Sequence, residues 1–216
     1  MAKSNLWFYS SEEEIKQTAK SLLVFGGGMF KRAKIVRDLN QLKEINSTLN
    51  EGSFQSSFNL MHEFCFSYLD DCIKVLVFFE NYMKAELILG EHCVHVINKQ
   101  IPEFEALAKK QFKEPVLLKE IEAIEPFDLD LNAKIFAHRA IKETTLGVRE
   151  LVGTDAYRSK YQFDQEILAF LIELNTYRNK LHFYSSIEFQ INDEFLNKVA
   201  KVDNFLQDQL NIKMNL

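Results

Sequence analysis

The residues in this chain best suited to chemistry are Arg178 and His182, in the run Tyr177-Arg178-Asn179-Lys180-Leu181-His182-Phe183. Guanidinium is charged at every physiological pH, and an imidazole exchanges its proton near its ordinary pKa of ~6.5. On a helix, four residues rotate roughly 40° past a full turn, so the two side chains share a flank, with Asn175 on the same side. Such a pair suits attack of a ribose 2′-hydroxyl on the neighbouring phosphate. The neutral imidazole takes the hydroxyl proton and the guanidinium fork holds phosphoryl oxygens, with no metal and no other cofactor. The same two residues also fit a plain reading as solvated, hydrogen-bonded neighbours on a helix flank.

The element that must carry them has a regular apolar stripe. Phe163, Ile167, Phe170, Leu174, Tyr177, Leu181 and Tyr184 alternate steps of four and three, as in a coiled-coil seam. Thr154 and Asp155 are placed to cap this helix, and either it runs on through Leu181 or Asn175-Thr176 breaks it and caps a new one. Arg178 and His182 sit roughly 70 to 110° from the middle of the stripe, beside the packing face. A two-fold partner using that seam would bring two such pairs close together.

Upstream, Ser10-Ser11 followed by Glu12 to Glu14 resembles a cap with an acidic first turn, and helical periodicity continues to about Asn50. Gly26, Gly27 and Gly28 predict a break there, giving two helices. From about Ser53 to Leu89, Phe58, Met61, Cys65, Leu69, Cys72, Leu76, Phe79, Met83 and Leu87 form one buried helix face that Gly90 ends, with a short continuation from His92 to Ile97. All three prolines, Pro102, Pro115 and Pro126, fall in a middle stretch that reads as connectors with one or two short charged helices, the best candidate for a loosely packed linker. Turn residues from Asp128 to Asn132 then precede a predicted helix carrying Ile135, Phe136, Ile141, Leu146 and Leu151, which Gly153 ends. After Ser185-Ser186 a short extended run leads to Asn192-Asp193, which opens a last helix through Leu210. The expected fold class is all-α, a helical bundle with long antiparallel helices. It forms a single helical domain over 1–216 with a proline-bearing connector at about 99–127.

The run Tyr-Arg-Asn-Lys-Leu-His-Phe in such a helical chain resembles the signature of the higher eukaryote and prokaryote nucleotide-binding (HEPN) superfamily. In that signature an Arg and a polar residue, often Asn, are followed by His after four to six intervening positions. The resemblance implies a homodimer of helical bundles, RNA as partner and metal-independent endoribonuclease activity of a toxin or phage-defence type. Carried over, Arg178 contacts phosphate, Asn179 orients the site and His182 is the acid-base group; Asn175, on the same flank by helix geometry, is a second candidate substrate-binding residue. The chain departs from the pattern in having only Asn179, Lys180 and Leu181 between Arg178 and His182. Some members of the superfamily are inactive assembly modules. The competing reading is therefore a non-catalytic helical module for protein–protein interaction or dimerisation, with the Arg-His pair incidental.

Other residue groups carry less. His92, Cys93 and His95, with His62 and Cys65, include metal-ligand types, but their spacing matches no strong zinc pattern, so no metal is assigned. Phe25 to Lys31 lacks the Gly-Lys-Ser/Thr ending of a phosphate loop, and Lys31, Arg32, Lys34 and Arg37 form the one compact basic cluster. His138 and Arg139 are adjacent and on a helix would point roughly 100° apart. With 26 basic against 31 acidic residues, no global positive field collects nucleic acid, so RNA binding has to be local. Three cysteines without regular spacing predict a reduced, cytoplasmic setting, and charges interrupt every apolar run before ~20 residues, which predicts no membrane span.

Overall fold

The computed structural model describes residues 4–6, 12–32, 73–130, 135–161 and 163–181, with helical positions at 194, 197, 198, 200, 201, 204, 205 and 208. These residues are mostly helical, as expected, and they also contain five short strands that the sequence reading did not anticipate. The chain divides into two compact units, the first from 1–24 and 80–162 and the second from 25–79 and 163–216. No helix among the described residues is long and apolar enough to cross a membrane.

Helix α1 (Glu12–Arg32) begins in the first unit and ends in the second. Ile15, Ala19, Leu22 and Leu23 bury its inner face at helical spacing, and Gly26 and Gly27 continue that buried face. The helix runs through all three glycines, so the expected break at Gly26–Gly28 is not present. Small residues on a packed face let a neighbour approach closely, and tertiary packing overrides the weak local propensity.

Helix α2 is described from 73 to 89, and there the predicted stripe holds: Leu76, Phe79, Met83 and Leu87 are buried. Phe58, Met61, Cys65, Leu69 and Cys72 lie outside the described residues. A Schellman-type turn ends α2. His92 N–H donates to Leu87 O at 2.8 Å and Glu91 N–H to Ile88 O at 2.9 Å, with Glu91 in the left-handed region at φ 58°.

The chain then extends where a helical continuation was expected. Strand β2 (His95–Ile97) pairs antiparallel with β5 (Ile141–Thr145), with His95 opposite Thr145, Ile97 opposite Ile141 and an irregularity between them. The predicted helix over Ile135 to Leu151 is likewise replaced. Strands β3 (Asp128–Asp130) and β4 (Ile135–His138) form an antiparallel pair, and β1 (Ser4–Leu6) adds to the other edge of β4. A turn at Arg139-Ala140 leads into β5, and only Val148–Leu151 (α5) is helical. Ile135, Phe136, Ile141, Thr144 and Thr145 are β-branched or aromatic and suit pleated positions, but their partners are remote in sequence, beyond the reach of local periodicity.

The proline-bearing stretch is packed. A single 3-10 turn (Pro102–Phe104) leads into α3 (Glu105–Gln111), and α4 (Leu118–Glu122) follows. Ile101, Phe104, Ala108, Val116, Leu118 and Ile121 join Cys93, Ile97, Ala140 and Ile141 in one apolar core. The expected short helices are there, but they form a wall of the core and not a loose linker.

Thr154 caps α6 (Asp155–Arg158), its Oγ1 accepting from Tyr157 N–H at 3.5 Å. That helix stops, and α7 (Gln165–Leu181) starts separately under Asp164, whose Oδ1 accepts from Ile167 N–H at 2.8 Å. The single helix expected from Thr154 onward is therefore two. In the second unit, Phe79, Phe163 and Phe205 form an aromatic triad with ring centroids 5.2 to 6.3 Å apart.

Candidate functional site

Helix α7 carries Asn175, Arg178 and Asn179 of the residues singled out for phosphate chemistry. Asn175 and Arg178 both lie within it, and the helix does not break at Asn175-Thr176. Thr176 Oγ1 donates back to Ile172 O at 2.9 Å instead of capping a new helix. Three residues rotate ~300°, so Asn175 and Arg178 lie within ~60° of each other, one turn apart. Both side chains are half-buried. Among the described residues no carboxylate pairs with the Arg178 guanidinium, whereas the lysines that meet α7 are committed: Lys198 to Glu173 at 3.3 Å and to Glu194 at 2.9 Å, and Lys201 to Glu166. Asn175 Oδ1 is enclosed and has no hydrogen-bond partner among the described residues. Asn179 is helical, but its side chain and the whole of His182 lie outside the described residues. The structure thus brings Asn175 and Arg178 onto one flank, and the Arg178–His182 geometry is not part of the described structure.

The apolar stripe beside this flank is already covered within the chain: Ile167, Phe170 and Leu174 are at most 3% exposed, with Leu168 and Leu171 buried next to them. At these described positions the stripe does not present a free seam for a two-fold partner, while the side chains of Tyr177 and Leu181 and the whole of Tyr184 lie outside the described residues.

A shallow groove of about 700 Å³ lies toward the start of α7, between Gln165, Glu166 and Ala169 on one side and Asn197, Lys198 and Lys201 on the other. Sequence reasoning did not find it, because its two walls are remote in sequence. Its lysines are internally ion-paired, and Arg178 does not line it.

In the first unit, the residues of metal-ligand type do structural work. Cys93 is buried, its Sγ donates to His95 O at 3.4 Å, and burial pushes its thiol up to about 12, so it carries no thiolate at neutral pH. His95 Nδ1 faces Lys142 O at 3.1 Å and His92 Nδ1 faces Leu87 O at 3.3 Å. A carbonyl only accepts, so both rings carry their proton on Nδ1. His138 Nε2 donates to Glu125 O at 3.1 Å while its Nδ1 accepts from Ala140 N–H at 3.1 Å. Gln111 is the hub that sequence reasoning missed. Its Oε1 accepts from Ile97 N–H at 2.9 Å, its Nε2 donates to His95 O at 2.8 Å, and its carbonyl accepts from Tyr157 Oη at 2.7 Å. Lys84 was missed too. It is buried inside the α2 stripe, with Nζ 2.5 Å from Glu80 Oε1 and 2.8 Å from Thr145 Oγ1. The predicted basic cluster has Lys31 and Arg32 in the last turn of α1, while Lys34 and Arg37, like His62 and Cys65, lie outside the described residues.

No family model matches the chain, and no curated protein or solved structure matches it.

Proposed function

We propose that the chain is a HEPN-like helical protein that engages RNA through the Arg178 flank of α7 and cleaves it without metal. The observation that carries the reading is the half-buried Arg178 guanidinium, uncommitted among the described residues, one helical turn from an Asn175 amide whose enclosed oxygen has no partner among them. Unpaired guanidinium beside a partly desolvated amide favours a phosphodiester over water, because charge-assisted bonds strengthen as solvent is excluded. In the proposed reaction His182 takes the 2′-hydroxyl proton as the 2′-oxygen bonds to phosphorus. Arg178 stabilises the phosphoryl oxygens, and the P–O5′ bond breaks. The products are a 2′,3′-cyclic phosphate and, once O5′ is protonated, a 5′-hydroxyl. Asn179 orients the site, and a second copy in a cytoplasmic homodimer supplies the second Arg-His pair.

The spacing of three residues between Arg178 and His182 favours a second reading, a non-catalytic interaction module. The test is cleavage of varied RNAs in EDTA with the ends analysed for cyclic phosphate. His182→Ala and Arg178→Ala are each expected to lower the rate about 100-fold or more with unchanged circular dichroism. A wild-type protein that cuts none of the RNAs would leave the module reading in place.

A further inference from the structure

We propose that Gln111 is a register clamp: an α3 side chain that stands in for a third strand beside β2 and holds β2 and β5 in an offset pairing. The inference is independent of the RNA reading. Toward β5, Leu146 N–H donates to Val94 O at 2.8 Å and Asn98 N–H donates to Ala140 O at 2.6 Å. Backbone polar groups alternate sides along a strand, so the odd-numbered residues turn theirs to the opposite edge. On that edge Leu118 N–H donates to Glu91 O at 2.9 Å and Cys93 N–H to Val116 O at 2.8 Å, the antiparallel bridge of His92 with Leu117. From Cys93 onward the Gln111 side chain takes over. Its Nε2 donates to His95 O at 2.8 Å and reaches Cys93 O at 3.5 Å, and its Oε1 accepts from Ile97 N–H at 2.9 Å. Donating to one carbonyl and accepting from the N–H two residues on is what a residue of a parallel neighbouring strand does. The partners also fix the amide's orientation, because a reversed amide would aim its NH2 at the Ile97 N–H and its oxygen at the His95 carbonyl.

The β2–β5 pairing changes register beside this amide. His95 lies opposite Thr145 but Ile97 lies opposite Ile141, so β5 passes from 145 to 141 while β2 passes only from 95 to 97. A regular antiparallel ladder advances one for one and would set Ile97 opposite Glu143. That alternative is a slip of two residues, which leaves every side chain on its own face, so the apolar pattern alone does not exclude it. Two contacts hold the offset. The His95 imidazole donates its Nδ1–H to Lys142 O at 3.1 Å, inside the bulged part of β5. Gln111 ties His95 and Ile97 to the end of α3, so β2 cannot advance along β5 without giving up both amide bonds. All three residues are at most 4% exposed, so water does not replace what is lost. The end of α3 is itself anchored: Tyr157 Oη donates to Gln111 O and Thr154 Oγ1 to Lys113 O, each at 2.7 Å.

NMR on the full chain reads the clamp directly. In wild type a through-bond coupling from the Ile97 amide nitrogen to the Gln111 side-chain carbonyl carbon is expected, with one set of amide signals over 94–98 and 140–146. Gln111→Met keeps the side-chain length and removes the amide. It is expected to bring out a second set of signals confined to those residues, in about a tenth of the molecules or more, with Ile97 beside Glu143. A folded Gln111→Met protein that keeps a single set, with Ile97 still opposite Ile141, overturns the clamp, as does absence of the coupling in wild type. If that variant does not fold, Tyr157→Phe decides, because it removes the hydroxyl that holds the Gln111 carbonyl. Hydrogen exchange of the Ile97 amide is then expected to speed up about threefold or more relative to that of Met83 in α2, and an unchanged ratio overturns the clamp.

Discussion

At Glu91, a residue with a Cβ occupies the left-handed position that ends a helix, at φ 58°, where glycine is free of the penalty of about 1 kcal/mol or more. Glu91→Gly is expected to be neutral or stabilising by up to ~1 kcal/mol in chemical denaturation, and Glu91→Val to be destabilising by a similar amount or more. The neighbouring Gly90 has the opposite sign. A Cβ there would come within 2.8 Å of His92 Nδ1, so Gly90→Ala must displace a buried ring and is expected to lower stability by ~1 to 3 kcal/mol. Gly90 was legible as a helix stop from its type alone, and Gly153 likewise. Glu91, Lys84 and Gln111 were not, because their roles depend on backbone angle and on partners supplied by other elements. Arg178 and Asn175 were legible as a shared flank, since helix geometry alone fixes that relation.

Among elements, α1 shows how a packed face outvotes local propensity. Gly26 and Gly27 are buried on it, but Gly28 is exposed with nothing within 4 Å of where a Cβ would stand. Gly28→Ala is thus expected to stabilise the chain by ~1 kcal/mol, read as a raised unfolding midpoint in urea. The apolar stripes of α2 and α7 were readable because helical contacts recur every three or four residues within one short window. Strands β4 and β5 were not. Their residues pair with β1, β3 and β2, and Leu6 meets Phe136 across most of the first unit's sequence. A window over Ile135 to Leu151 contains apolar spacing that also fits a helix, and only the remote partners decide between the two.

For the whole molecule, the burial of the α7 stripe within a single chain separates stability from association. Leu174, 1% exposed, should cost ~2 to 5 kcal/mol when changed to alanine, and the midpoint shift should be the same at low and high protein concentration. A shift that grows on dilution would mean that a second copy covers the stripe. If the shift is independent of concentration, a homodimer proposed for catalysis uses surface other than Ile167, Phe170 and Leu174, such as the exposed side of α7 at Ile172.

The interleaving of the two units has a consequence during synthesis. Each unit is assembled from two separated stretches of chain, and among the described strands β1 pairs with β4. A nascent chain emerging from the ribosome therefore holds β1 without this mate until β4, at Ile135–His138, has been made, and the second unit waits longer still for α7. Long-range closure of this kind slows productive collapse and leaves early segments in need of a chaperone's shelter.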